Sequence, residues 1–224
     1  EFESIYAYGI KGQHFKNEIL PQHPAIPSQY WDFDLANITG TLLSDLMGNL
    51  DANDVHPLTP TAVTTGGQGQ IGETISFANQ NYMQATANSI NLGIDFTISS
   101  WVNLTDDSDD LGTILNKWNT SSVAEQEFRL YTSAQTVKFD YHATTTSADT
   151  FPILGFDTIS SVNTIPAGQW SHILVTRKAE YIYLYLNGDL EAVKHIGPHA
   201  MKDFTNPLTF GGELSPSVAN FLTG

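Results

Sequence analysis

The chain has 224 residues, 24 Asp and Glu against 9 Lys and Arg, a formal net charge of -15 and no cysteine. That balance disfavours nucleic acid and anionic lipid surfaces as partners, and the lack of cysteine excludes disulfides and thiolate metal sites. Hydrophobic residues make up 41%, enough for a sizeable core, while only 15% are charged, so the surface leans on Ser, Thr, Asn and Gln, as in many extracellular and virion β proteins.

Residues 1–29 differ from the rest. Tyr6, Tyr8, His14 and Phe15 precede Pro21, Pro24 and Pro27, which reads as an extended arm with one short strand over 4–10 and then a proline-punctuated linker. From Tyr30 onward strand alternates with turn. Strands are expected over 30–34, 73–77, 82–85, 96–104, 112–118, 127–131, 136–142, 171–178, 181–186, 191–196 and 208–212, with Gly, Asn, Asp, Pro and Ser between them. Residues 44–50 read as a turn or one short helix. No apolar stripe runs at helical spacing and none approaches the ~18 residues of a membrane helix, so little helix and no insertion are expected. The most regular stretch is 170–188. Tyr181, Tyr183 and Tyr185 alternate with Ile182, Leu184 and Leu186, and Asn187-Gly188 supplies the two positive-φ positions of a tight hairpin turn. Many short strands at even spacing imply an all-β sandwich forming one domain over 30–224.

The ordered motifs resemble the laminin-G-like domains of the concanavalin A-like superfamily. The resemblance is carried by Tyr30-Trp-Asp-Phe-Asp34, Asp45-Leu-Met-Gly-Asn49, Gly72-Glu-Thr-Ile-Ser-Phe77 and Phe96-Thr-Ile-Ser-Ser-Trp-Val102. It continues through Gly112-Thr-Ile-Leu-Asn-Lys117, Trp170-Ser-His-Ile-Leu-Val-Thr176, Leu184-Tyr-Leu-Asn-Gly188 and Leu208-Thr-Phe-Gly-Gly212. It implies two antiparallel sheets packed as a jelly-roll sandwich, with Trp31, Trp101 and Trp170 at core positions. Such domains usually close with a strand of the type Ile-Asp-Asp-Val-Arg-Ile-Tyr beside the first one. Here Phe221-Leu-Thr-Gly224 reaches the place where that strand would begin. The expectation is an open edge beside 30–34, filled by the arm of the same or a neighbouring subunit, or by polypeptide continuing past Gly224. A start at Glu1 rather than Met likewise suits a processed chain or a fragment.

Candidate sites follow from residue chemistry. Calcium takes 6–8 oxygens, many from Asp, Asn and backbone carbonyls. The resemblance implies a structural ion at Asp45 and Asn49. Residues 105–110 place Asp106, Asp107, Asp109 and Asp110 together, which suits either a cation site or a solvated hairpin tip. A likeness to pentraxins points to Gln126, Glu127 and Glu213 as a ligand rim. Glycan binding needs aromatic faces with amides and acids beside them. Trp118 and Asn119 at an expected loop mouth, Glu127, Tyr131, Tyr141 and the tyrosine face 181–185 are the candidates. Retaining glycosidases need two carboxyl groups ~5 Å apart, for which Glu125-Gln-Glu127 is the nearest match, and Gly-x-Ser-x-Gly is absent. The seven histidines show no ligand spacing. The leading expectation is a non-catalytic, lectin-like module of an extracellular, cell-surface or virion-surface protein. It would bind glycan or a protein partner and carry structural calcium. The alternatives are an assembly subunit of a filament, capsid or tail fibre that associates through its arm or open edge, and, third, a glycoside hydrolase or lyase.

Overall fold

A computed structural model describes residues 30–31, 33–34, 38–39, 42–46, 52–55, 64–77, 81–85, 90, 92–105, 111–119, 126–143, 156–213 and 222. The arm over 1–29 lies outside them. The described residues form strands and no helix.

Nine strands make the larger antiparallel sheet, in the order β1 (Ile38–Thr39), β2 (Leu42–Leu43), β3 (Ala52–Val55), β6 (Tyr82–Ala85), β15 (Thr209–Phe210), β8 (Gly112–Trp118), β9 (Gln126–Ser133), β10 (Thr136–Tyr141) and β11 (Asp157–Thr164). The second sheet has the order β14 (Asp189–His195), β13 (Tyr181–Leu186), β12 (Trp170–Lys178) and β7 (Phe96–Asn103). β4 (Thr64–Gln68) and β5 (Glu73–Ser76) pair as a separate hairpin. Alternation explains the layering, because successive side chains leave a strand on opposite faces. Phe128 and Leu130 of β9 and Val137 and Phe139 of β10 turn inward. They meet Ile173 and Val175 of β12 and Ile182, Leu184 and Leu186 of β13 in one buried cluster. Asn187 and Gly188 adopt φ 52° and 90°, as the hairpin turn requires. Tyr181, Tyr183 and Tyr185 therefore face away from the core, Tyr181 being exposed.

The expected strand over 30–34 does not form in the described residues. Phe33 sits at φ 57°, which breaks an extended run. The segment is pinned instead by side chains. Tyr30 N–H donates to Asp45 Oδ1 (2.8 Å) and Glu73 N–H to Asp34 Oδ1 (2.8 Å). β11 was not expected. Its sequence is mostly polar and Val162 is 80% exposed, so no period-two pattern marks it. Glu191 of β14 holds it in place, accepting from Val162 N–H (2.9 Å), Asn163 N–H (2.7 Å) and Asn163 Nδ2 (2.9 Å). Those bonds fasten the edge of one sheet to the edge of the other.

Gly211 is the tightest glycine. Its φ is +75°, and a Cβ there would stand 2.3 Å from Phe77 Cδ1, inside the core. Gly211→Ala is expected to destabilise the fold by about 2–4 kcal/mol, from overpacking and backbone strain together. A urea unfolding curve measures it, and an unchanged midpoint would show that Phe77 is free to move aside.

Candidate functional site

The outward residues of the central strands of the large sheet are polar and buried together. Inward placement of Phe128 and Leu130 turns Glu127, Arg129 and Tyr131 the other way. Arg129 organises this face. Its Nε donates to Asp140 Oδ2 (2.8 Å) and its Nη1 to Glu213 Oε1 (2.7 Å). Asp140 and Glu213 are 0% and 1% exposed. Thr113 Oγ1 also donates to Glu213 (3.3 Å), and Tyr131 Oη (3.3 Å) and Thr158 Oγ1 (2.6 Å) donate to Asp140. The guanidinium carbon lies 4.8 Å from the centre of the Trp118 ring and 4.4 Å from that of Tyr131. Burial opposes the guanidinium's charge, but Glu213 and Asp140 outweigh it and hold its pKa above the ordinary arginine value. Burial, with Asp140 adding to it, pushes the Tyr131 phenol up to about 12. The Arg129 side chain keeps 13% exposure, and Nη2 has no partner among the described residues.

A second ionic cluster lies on the neighbouring stretch of β8 and β9. Lys117 Nζ uses its three donors on Ile90 O (2.6 Å), Glu127 Oε2 (2.7 Å) and Asp203 Oδ1 (3.1 Å). Phe204 N–H donates to Glu127 Oε2 (3.1 Å), whereas Glu127 Oε1 has no partner among the described residues. Both Lys117 and Glu127 are at most 1% exposed. Burial raises the Glu127 carboxyl to about 7, against the lowering pull of Lys117 and the Phe204 amide.

Beside Arg129, Trp118 is packed rather than open. Its ring meets Phe156 edge to face at 4.9 Å and is itself 1% exposed, while Phe156 is 46% exposed.

A laminin-G-type family model, described as the Concanavalin A-like lectin/glucanases superfamily, matches residues 77–224. The chain belongs to the concanavalin A-like lectin/glucanase superfamily. Solved structures share that fold. Domain 4 of AbnA, a GH43 extracellular arabinanase from Geobacillus stearothermophilus, in complex with arabinotriose, is 14% identical, with a TM-score of 0.56 over 81% of this chain and 84% of that one. The binding domain of Paraclostridial Mosquitocidal Protein 1 is 22% identical, with a TM-score of 0.53 over 83% of this chain and 44% of that one. The Botulinum neurotoxin serotype D binding domain is 14% identical, with a TM-score of 0.54 over 78% and 41%. The chain thus spans less than half of each of these two binding domains. No curated protein sequence matches the chain.

In this superfamily member the expected site residues separate into groups. Glu213 and Trp118 come together around Arg129, and Glu127 lies on the next strand position with Lys117. Asn119 follows Trp118 and is half-buried. Tyr141 is elsewhere. It is a core residue, 3% exposed, and its hydroxyl donates to Asp157 Oδ2 (3.2 Å). Trp118, expected at a loop mouth, instead ends β8 with its ring buried against Arg129 and Phe156. Trp101 and Trp170 are likewise not members of the core cluster, unlike the half-buried Trp31 packed against it. Trp101 lies 5.0 Å from the His172 ring on the outer face of the smaller sheet, paired across β12. Arg129 and Phe156 were missed. Arg129 stands at the alternate strand position between Glu127 and Tyr131, which marks an outward charge but names no partner.

Of the expected calcium ligands, Asn49, Asp106 and Asp107 lie outside the described residues. Asp45 is 3% exposed, and its Oδ1 accepts the Tyr30 amide. No group of three or more acidic or histidine side chains converges among the described residues. They supply one carboxylate rather than a cage, and no step below runs through calcium. No helix of the described residues is long and apolar enough to cross a membrane.

Proposed function

We propose that this chain is a non-catalytic, lectin-like binding module of an extracellular or surface protein, and that it takes a glycan around Phe156, Trp118 and Arg129. One observation carries the reading: an exposed aromatic ring, Phe156, and a guanidinium that keeps donors to spare both lie against the Trp118 ring. A ring face stacks on the apolar side of a sugar, and an oriented fork of N–H groups reads its hydroxyls. Asp140 and Glu213 hold that fork in one orientation, which lowers the entropy lost on binding. Catalysis finds little support here. Glu127 is engaged by Lys117 and the Phe204 amide, and Glu125 lies outside the described residues. Structural calcium at Asp45 and Asn49 stays within the proposal.

A panel of immobilised oligosaccharides tests it, with and without chelator. Arabino-oligosaccharides belong in the panel because a domain of this fold was solved with arabinotriose. The expected result is retention of at least one glycan by the wild-type chain. Phe156→Ala should weaken it at least about tenfold while costing no more than about 1.5 kcal/mol of stability, the usual worth of one edge-to-face ring contact. Retention that survives Phe156→Ala undiminished, or no retention on any glycan, would overturn the site. Loss of thermal stability on chelation would support the ion, and an unchanged melting curve would remove calcium from the proposal.

A further inference from the structure

The β8–β9 ladder places a further polar group beside Trp118 and Arg129. Asn116 is the Cα partner of Arg129, and Trp118 that of Gln126, because the register skips Glu127. Residues directly opposite in a ladder share a face. Asn116 and Trp118, two apart on β8, share one as well. Gln126 therefore points to the side of the sheet on which Arg129 lies against the Trp118 ring. The two side chains have opposite needs. Gln126 is buried, and its Oε1 accepts no hydrogen bond among the described residues. Arg129 Nη2 donates none. A buried acceptor left without a donor is costly, and only a group that carries a proton completes it.

Charge is the second observation. The Arg129 guanidinium is already matched by Asp140 and Glu213, at 2.8 and 2.7 Å. Lys117 is engaged by Glu127 and Asp203, and Lys194 by Asp157. Lys138 stands opposite Tyr131, two residues along β9 from Arg129 and on the side away from Trp118. The Lys202 ammonium lies over the Phe204 ring, 5.8 Å from its centre. The chain as a whole carries a net charge of -15, which repels anions at longer range. A carboxylate or sulfate on the ligand would meet an arginine with no net charge to offer and a Gln126 oxygen it cannot satisfy, having no proton to give. A hydroxyl does both: its oxygen accepts from Arg129 Nη2 and its hydrogen goes to Gln126 Oε1. We infer, resting on the reading that this site takes a glycan, that the glycan is neutral, that Arg129 and Gln126 together recognise its hydroxyl groups, and that uronic, sialic and sulfated sugars are refused.

Matched pairs of immobilised oligosaccharides at pH 7 test the inference. The pairs are galacto- against galacturono-oligosaccharides, gluco- against glucurono-oligosaccharides, and lactose against sialyllactose, with arabino-oligosaccharides as a further neutral series. The wild-type chain should retain at least one neutral series, and at least about tenfold more tightly than any acidic one. Gln126→Met keeps the length of the side chain and removes the acceptor. It should weaken neutral retention about fivefold or more, while the urea unfolding midpoint stays the same or rises, because an unpartnered buried polar atom is gone. Lys138→Gln and Lys202→Gln should leave retention as it is. Acidic members retained as well as neutral ones, or better, would overturn the inference and leave the glycan site standing. Undiminished retention by Gln126→Met, or a midpoint that falls together with retention, would overturn the role of Gln126. No retention of any member would remove the glycan reading itself and this inference with it.

Discussion

Replacing Lys117 with methionine is expected to lower the unfolding free energy by about 3–5 kcal/mol at pH 8, the usual cost of removing one partner from a buried ion pair. The ammonium joins three separate segments, through Ile90 O, Glu127 Oε2 and Asp203 Oδ1. Without it a carboxylate with 0% exposure keeps Phe204 N–H as its one donor among the described residues. The loss should depend on pH, and the direction follows from linkage. The Glu127 carboxyl titrates at about 7 in the folded chain, against an ordinary value of 4.5. Between those values the native state holds more protons than the unfolded one. The contribution of this group to stability is therefore complete below about 4.5 and disappears as pH rises through about 7. Lys117→Met removes a group that favours the ionised form, so its cost should be larger at pH 8 than at pH 5. Glu127→Gln should flatten the slope of stability between pH 5 and 7. The double variant Lys117→Met with Glu127→Gln should recover most of the loss, since neither charge is then buried alone. Urea unfolding at pH 5 and pH 8 measures all three. A cost for Lys117→Met that does not vary with pH would show that Glu127 stays ionised throughout.

Arg129→Met should cost a similar amount, about 3–5 kcal/mol, and should also abolish glycan retention. Its removal leaves two buried carboxylates, Asp140 and Glu213, facing each other's charge without the cation between them. Trp118 and Tyr131 lose the planar group that lies against both rings. Arg129→Lys separates charge from geometry. An ammonium keeps the charge but lacks a rigid fork that reaches two carboxylates while lying against two rings, so only part of the stability should return and little of the binding. Unfolding curves beside the same oligosaccharide panel read both effects. Full recovery of stability and retention by lysine would mean that the fork geometry has no role.

Where side chains alternate cleanly, the fold was legible. β13 runs Tyr-Ile-Tyr-Leu-Tyr-Leu, and β6, β8 and β13 have the expected bounds. Such strands lie half in the core, so their own residues record which face is dry. β4 and β11 were not legible for the opposite reason. β4 is Thr-Thr-Gly-Gly-Gln, with no apolar residue to mark a face. β11 is held by Glu191, 28 and 29 residues away in the chain. The site was legible in part. Glu127, Glu213 and Trp118 were singled out, and all three are buried, Glu213 and Trp118 at Arg129 and Glu127 at Lys117. Phe156 was missed because it precedes the strand that the pattern did not reveal.

By itself, the sequence determined the all-β sandwich, the order of its motifs, the Asn187-Gly188 turn and the outward tyrosine face. These rest on period-two burial and on local turn chemistry, which act between near neighbours in the chain. Only the tertiary structure decided which polar groups are buried with a partner. Glu213 reaches Arg129 across 84 residues, and Asp203 reaches Lys117 across 86. Burial of a charge and pairing of an edge depend on what arrives from elsewhere in the chain, and no local pattern of residues encodes that.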